Sequence, residues 1–313
     1  MSREIVGCKE LYRRAEDEAT ARSLRAHPEE DFMGRFVIRS VFTFILFTAL
    51  AFAQGPHHFQ PGFNLFSKQQ DVQLGQEAAA QVRKQMTVIK DPVLTNYVNA
   101  VGKRLANTPE AQQSGFPFTF EVVADPSINA FALPGGPMFI NTGLLKAVDN
   151  EAQLAGVMGH EMSHVILRHG TNQASKKNLI ELPAVLGAGL AGGSMAGKLA
   201  QLGIGLGANS VLLKFSRSAE SQADLTGSHI MSEAGYNPME MARFFEKLSA
   251  QGGASAPQFM SDHPNPGNRE RAIEEEAASL PRRNYGYETG QFQRMKQVVA
   301  GIHEPAPRKQ SGQ

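Results

Sequence analysis

Apolar positions along the chain recur with two periods, and the change of period marks the elements. Ser67 and Gln70 form a capping box that opens a helix running to about Met86. Pro92 opens a second helix, with Val93, Tyr97, Val101, Arg104 and Leu105 at helical spacing. The period then falls to two. Pro117 to Ala124 (PFTFEVVA) alternates and is rich in β-formers, so it reads as a strand. Ile128 to Leu133 and Pro137 to Ile140 read as two more strands, joined by a turn at Pro134-Gly135-Gly136. Helical spacing returns after Asp149 or Asn150, either of which can cap a helix that runs to Arg168 and is closed by Gly170. Further helices are predicted from Ser216 or Ser218 to about Ala234, from Asn237-Pro238 to about Gln251, from Asn268 to Leu280 and from Gln291 to Ile302. The predicted fold class is α+β and mainly helical, with a small sheet of about three strands over two long helices.

Two apolar segments fall outside this pattern. Val41 to Ala53 (VFTFILFTALAFA) follows Arg35 and Arg39 and ends in a small-x-small site, which is the layout of an export signal. The run is short for a membrane span, which needs about 20 residues. An uncleaved inner-membrane anchor is the alternative to a cleaved signal. Met33 begins a complete signal by itself, so 1–32 read as an upstream extension of the gene model and 33–53 as the signal peptide. The second segment, Leu179 to Ala208, is apolar but holds eight glycines between Gly187 and Gly207, with Pro183 and Lys198. It reads as a tightly packed helical hairpin or a lid, with insertion at a membrane surface as the rival. The expected organisation is then a linker at 54–66, a catalytic domain at 67–280, and a C-terminal helix with a disordered tail at 281–313. Within the linker, His57-His58 reads as part of a solvated loop, adventitious metal binding being the other reading.

Composition narrows the chemistry. The 313 residues include 31 Lys+Arg against 30 Asp+Glu, a net charge of +1. That balance argues against a nucleic-acid binder, which needs a basic excess. Apolar residues make up 42% of the chain, enough for a core. The one cysteine, Cys8, excludes a disulfide framework and a cysteine-rich metal site. A metal must therefore be held by His and carboxylates.

One segment offers them. His160-Glu161-Met162-Ser163-His164 is HExxH on the helix predicted above. At about 100° per residue, His160 and His164 lie about 40° apart and one turn apart, so two imidazoles can converge on one ion. Glu161 falls on the rim of that face, where a carboxylate can act on water without ligating the metal. Leu154, Val157, Met158, Val165 and Ile166 make the rest of the helix apolar, hence buried, and two buried histidines and a glutamate need a partner. Catalytic zinc takes three protein ligands. His169 lies about 160° round a continuous helix from the pair and is set aside as a ligand, its expected role being to complement the helix dipole. Glu220, in Glu220-Ser221-Gln222-Ala223-Asp224 on the next helix, is the chosen third ligand, giving a His₂Glu site. Asp224 shares its face and is placed to accept the second ring N–H of a ligating histidine. Ala223 beside them keeps the contact thin. His229 is about 180° from Glu220 and reads as surface.

Four signatures in order now resemble one family. They are Asn129-Ala130-Phe131-Ala132-Leu133-Pro134-Gly135-Gly136, His160–His164, Glu220–Asp224, and His263-Pro264 with Arg269 six residues after the histidine. The sequence resembles, over about Ser67 to Leu280, the zinc metallopeptidases grouped with the CAAX prenyl protease, HtpX, the mitochondrial protease Oma and the periplasmic protease BepA. The resemblance implies one Zn²⁺ per chain and Glu161 as general base. It implies an edge strand at Asn129, Ala130, Phe131, Ala132 and Leu133 that binds an extended substrate by main-chain hydrogen bonds. It also implies that His263 is a loop histidine near the metal, either a fourth ligand acting as a latch or a stabiliser of the oxyanion, with Arg269 supporting that stabilisation. From the residues alone, His263 in Ser261-Asp262-His263-Pro264-Asn265-Pro266-Gly267 is a turn histidine.

The chain departs from the family in lacking the transmembrane helices of HtpX and the prenyl protease and the tetratricopeptide array of BepA. What remains resembles a stand-alone catalytic domain exported to the periplasm. The expected function is hydrolysis of peptide bonds in extended or misfolded envelope proteins. Expected partners are those chains, the outer-membrane assembly machinery and a peripheral membrane contact, with no nucleic acid. A latched or non-cleaving chaperone module for unfolded envelope proteins is the alternative. A small-substrate zinc hydrolase is a third reading, which the edge strand disfavours.

Overall fold

The computed structural model describes residues 55–176, 215–251 and 257–304. The export signal, the glycine-rich segment 179–208 and the tail from 305 onward lie outside the described residues. Among the described residues, no helix is long and apolar enough to cross a membrane.

The first helix, α1 (Lys68–Gln85), starts where the capping box requires: Ser67 Oγ accepts from Gln70 N and the Gln70 side chain accepts from Ser67 N. Next come β1 (Val88–Ile89), α2 (Pro92–Ala106) and α3 (Pro109–Ser114). Asp91 caps α2 through Oδ1, which accepts from Val93 N and Leu94 N. The sheet continues with β2 (Thr119–Val123), β3 (Ala130–Ala132) and β4 (Pro137–Asn141), followed by α4 (Thr142–Ala147) and α5 (Glu151–Ile166). Asn150 caps α5 by accepting from Gln153 N at 2.9 Å. Further helices are α6 (Arg217–Glu233), α7 (Met239–Ala250), α8 (Gln258–Asp262), α9 (Arg269–Ser279) and α10 (Phe292–Ala300). Among the described residues the fold is mainly helical with a small mixed sheet, as the sequence predicts.

The sheet has four strands rather than about three, in the order β1-β2-β4-β3. β1 is two residues long, too short to show an alternating pattern. β2 and β4 pair in parallel, Thr119 opposite Pro137 and Val123 opposite Asn141. β3 pairs antiparallel with β4 and is, among the described residues, the last strand on that side, its outer edge open to no further strand. Asn129 O accepts from Asn141 N and Leu133 N donates to Pro137 O. Backbone groups of an antiparallel strand alternate in direction, so Ala130 and Ala132 present theirs to the open side. The turn between β3 and β4 needs its glycines: Gly135 and Gly136 have φ of 76° and 120°, and a Cβ on Gly135 would fall 2.4 Å from the Val72 Cα of α1.

Alternation along the strands sends apolar side chains to both faces of the sheet. Phe120, Val122, Met138 and Ile140 join the main core with Leu94, Val98 and Val101 of α2 and Leu154, Val157 and Met158 of α5. Val123, Phe131 and Phe139 face a smaller cluster closed by Ala78, Ala79 and Val82 of α1. Each fully buried Val, Leu, Ile, Phe or Met among them contributes about 1.5–3 kcal/mol.

Two departures from the sequence reading bear on the site. α5 ends at Ile166 instead of reaching Arg168, and Arg168 turns left-handed at φ 55°, with residues 169–176 helical again beyond it. The Arg168 side chain fixes this break, donating to Asp71 Oδ2 at 2.6 Å and to Phe66 O. The stretch before α1 is largely exposed, as the solvated-loop reading has it, but it is also tied down by hydrogen bonds. Asn172 Nδ2 donates to Phe63 O, Asn64 Nδ2 to Thr171 Oγ1, Leu65 N to Ser175 Oγ, and His57 N to Glu276 Oε1.

Candidate metal centre

α5 and α6 cross at glycines. A Cβ on Gly227 would lie 3.1 Å from His160 N and 3.2 Å from Gly159 C, so side-chain-free positions let the two backbones meet. The crossing brings His160 and His164 of α5 against Glu220 and Asp224 of α6, all buried. The loop after α8 adds His263. Phe259 N donates to Ile128 O, Asn129 Nδ2 donates to Asp262 Oδ2, and the Phe259 ring stacks on His263 at 4.6 Å.

Four donor groups, from His160, His164, Glu220 and His263, lie within 4.8 Å of one another. His160 Nε2 is 3.1 Å from His164 Nε2, 3.4 Å from Glu220 Oε2 and 3.3 Å from His263 Nδ1. Glu220 Oε1 is 3.7 Å from His164 Nε2 and 3.2 Å from His263 Nδ1. Zinc bound tetrahedrally at about 2.0–2.1 Å has ligand–ligand edges of about 3.4 Å. The donor set and its spacing therefore fit such an ion.

Hydrogen bonds behind the histidines set their tautomers. His160 Nδ1 lies 2.9 Å from Asp224 Oδ1, so the N–H donates there and Nε2 turns its lone pair to the cluster. His169 Nε2 donates to Gln222 Oε1, which leaves His169 Nδ1 to accept from His164 Nδ1 at 2.9 Å. His164 Nε2 then also presents a lone pair. Two lone pairs 3.1 Å apart repel unless a cation or proton lies between them. Burial, aided by His160, drives the His164 pKa well below the ordinary histidine value, and burial lowers that of His169 to about 4. At His160, burial works downward but hydrogen bonds to Asp224 and Glu220 raise it overall. Burial would push Glu220 up, yet hydrogen bonds from His160 and His263 hold it well below the carboxylate range.

Glu161 sits between this cluster and the sheet edge. Its Oε2 accepts from Ala132 N at 3.1 Å, one of the two outward backbone positions of β3. Its Oε1 is 3.2 Å from His263 Nε2 without hydrogen-bond geometry, and both atoms are buried without a hydrogen-bond partner. Burial pushes its pKa up to about 7, against the opposing charge of His263. Arg269, wholly buried, donates from Nε to Asp224 Oδ2 at 2.7 Å and from Nη2 to Glu220 Oε2 at 2.9 Å, with its guanidinium 4.3 Å from the Phe245 ring centre. Of the sequence-predicted site residues, His160, Glu161, His164, Glu220, Asp224, His263 and Arg269 thus meet in one place. Ala132 touches it through Glu161 and Asn129 through Asp262. Ala130, Phe131 and Leu133 lie along the adjoining strand.

Two residues differ from the sequence reading. His169 does not lie across the helix: the break at Arg168 swings it back onto His164, where it is the ring partner of a predicted ligand. His229 is buried instead of surface, and its ring lies between Glu110 and Glu276. Despite burial, these carboxylates raise its pKa to about 9. Phe215, stacked on His164 at 4.1 Å, had no sequence signal.

Two crossing helices that supply two histidines and a glutamate beside a small mixed sheet define a zincin-like catalytic domain. Residues 92–277 match the model of peptidase family M48, and the chain belongs to that family of zinc metallopeptidases. It is 34% identical to the beta-barrel assembly-enhancing protease of Escherichia coli strain K12 over 207 residues, 64% of this chain and 42% of that protein. It is 33% identical to the mitochondrial metalloendopeptidase OMA1 of Schizosaccharomyces pombe over 183 residues, 58% of this chain and 52% of that one. The metalloendopeptidase OMA1 of Danio rerio is 31% identical over 193 residues, 58% and 40% of the two chains. The chain spans about two-fifths to half the length of these curated relatives.

Proposed function

We propose that the protein is a zinc-dependent endopeptidase that cleaves extended or misfolded polypeptides. The observation that carries this reading is the position of Glu161, 3.1 Å from the open β3 edge and beside a buried His₂Glu donor set. His160, His164 and Glu220 would hold one zinc ion, whose chemistry is to acidify water and polarise a carbonyl. A substrate strand adds to β3 through the outward backbone groups of Ala130 and Ala132, with Asn129, Phe131 and Leu133 fixing that strand against β4. An unfolded chain offers such a strand more readily than a packed one. Glu161 accepts the proton of the attacking water and returns it to the leaving nitrogen, tasks suited to a carboxyl near pKa 7.

Asp224 keeps His160 in the tautomer that ligates. Arg269 acts through Glu220 and Asp224, holding both carboxylates in place. His263, inside the donor cluster, is a latch on the fourth position. Once displaced, its imidazole would stabilise the developing oxyanion. The signal-like segment 33–53 supports a site of action in the periplasm, and the similarity to the beta-barrel assembly-enhancing protease supports one near outer-membrane assembly. The decisive substrate test compares one model protein in folded and permanently unfolded forms. Zinc-dependent, chelator-sensitive cleavage of the unfolded form alone is expected. Equal cleavage of both forms, or cleavage only of small non-peptide esters, would overturn the reading.

A further inference from the structure

A second polar cluster lies away from the centre just described. It gathers His57 and His58 from the segment before α1, Glu110 from α3, His229 and Glu233 from α6, and Glu276 from α9. His229 Nδ1 is 3.0 Å from Glu110 Oε1, and His58 Nδ1 is 3.5 Å from the same oxygen. The two imidazoles stand edge to face with ring centres 5.3 Å apart. One ligand atom from each of His58, Glu110 and His229 falls within 4.8 Å of the others.

The geometry points to a second divalent-metal site, with His58, Glu110 and His229 as ligands and zinc as the cation the donors suit best.

Three features support it. The first is the partner of His229. Glu276 Oε1 lies 2.5 Å from His229 Nε2. An N–H there donates to the carboxylate and leaves Nδ1, the nitrogen facing Glu110 and His58, as the one that can exchange its proton for an ion. A carboxylate behind a ligating imidazole fixes tautomer and ring orientation in the same way. Asp224 behind His160 is the matching arrangement in this chain. Glu276 is itself fixed, since its Oε1 accepts from His57 N and its Oε2 lies 2.5 Å from His57 Nδ1.

The second feature is unspent acceptor capacity. Glu110 Oε2 is buried with no hydrogen-bond partner. Glu233, one turn beyond His229 on α6, also has a buried Oε2 without a partner. Burial raises its pKa, and the negative charge of Glu110 adds to that. Three carboxylates crowd this corner, and Arg283 is the arginine that opposes Glu233. A local excess of negative charge around converging imidazoles favours a cation.

The third feature is the donor chemistry. Two imidazoles and one carboxylate match the ligand classes zinc takes, and the ligand spacings bracket the tetrahedral edge of about 3.4 Å. His58 is exposed, so an ion can enter from solvent and complete its shell with water.

The ligands come from three separated parts of the chain. An ion here would cross-link the segment before α1 to α3 and α6. That segment then continues to Phe66, whose carbonyl accepts from Arg168 at the break that positions His169. The clasp and the catalytic-type centre therefore share one strip of chain.

Zinc stoichiometry tests this. The full chain is stripped with chelator, dialysed against Zn²⁺ at pH 8 and counted by elemental analysis. The comparison set is His58→Ala and Glu110→Gln, with circular dichroism to confirm folding. His58 is mostly exposed, so its removal leaves the core intact. The expected result is one equivalent fewer in each variant than in the unaltered chain. His164→Ala should lower the count by a separate equivalent, which distinguishes the two centres. An unchanged zinc count in both His58→Ala and Glu110→Gln overturns the second site, whatever the count at the first.

Discussion

Arg269 offers the sharpest test of how the centre is held together. Its guanidinium makes two charge-assisted bonds, 2.7 Å to Asp224 and 2.9 Å to Glu220, with no part of the residue exposed. Arg269→Met keeps most of the volume, so repacking costs less than about 1.5 kcal/mol. The larger loss is electrostatic, because two buried carboxylates lose their cation. Deleting one partner of a buried ion pair costs about 3–5 kcal/mol. In a chain of this size each kcal/mol moves the melting temperature by about 2–4 °C, so a fall of about 6–20 °C is expected. Zinc supplies positive charge to Glu220, so the fall should be smaller with zinc than after chelation. Calorimetry with and without chelator measures both. A fall under about 2 °C in the stripped protein, or an equal fall in both states, refutes the view that Arg269 neutralises the carboxylates.

Three further outcomes follow from the geometry. Gly227→Val puts atoms where a Cβ is already 3.1 Å from the His160 backbone, so overpacking should cost about 1–3 kcal/mol and weaken zinc binding; unchanged zinc affinity by chelator competition would show that the crossing tolerates a side chain. His169→Ala removes the acceptor behind His164 and should weaken zinc binding about 10–100-fold with little change in fold; an unaltered affinity contradicts that role. Glu240 accepts from Asn150, the cap of α5, and the Asn150 and Arg243 bonds lower its pKa although burial opposes them. Its stabilisation is thus present above the ordinary glutamate pKa and lost as pH falls below it, so thermal melts of Glu240→Gln should lie below the unaltered protein at pH 7 and converge with it in acid.

The long helices were legible because capping and periodicity are local. Ser67, Asp91, Asn150 and Ser216 each cap the helix that follows them. HExxH and the Glu220–Asp224 pair were legible because helical spacing alone puts those side chains on shared faces. What local pattern could not give was tertiary. The parallel pairing of β2 with β4 and the two-residue β1 depend on partners distant in sequence. The break at Arg168 is set by Asp71 and Phe66, about a hundred residues earlier, so a continuous helix misplaced His169. His229 read as surface because its partners, Glu110 and Glu276, belong to other helices. Ala223 gave a weak hint of a close crossing, but not that the backbones meet at Gly227.

The most direct test of the central claim is paired measurement of zinc content and cleavage in Glu161→Gln. Glutamine keeps the size of the side chain and the acceptor that faces Ala132 N but cannot take a proton. The variant should bind as much zinc at the His₂Glu centre as the unaltered protein and lose most cleavage of an unfolded model protein. Cleavage at the original rate with zinc retained would contradict the assignment of Glu161 as the base of a zinc endopeptidase.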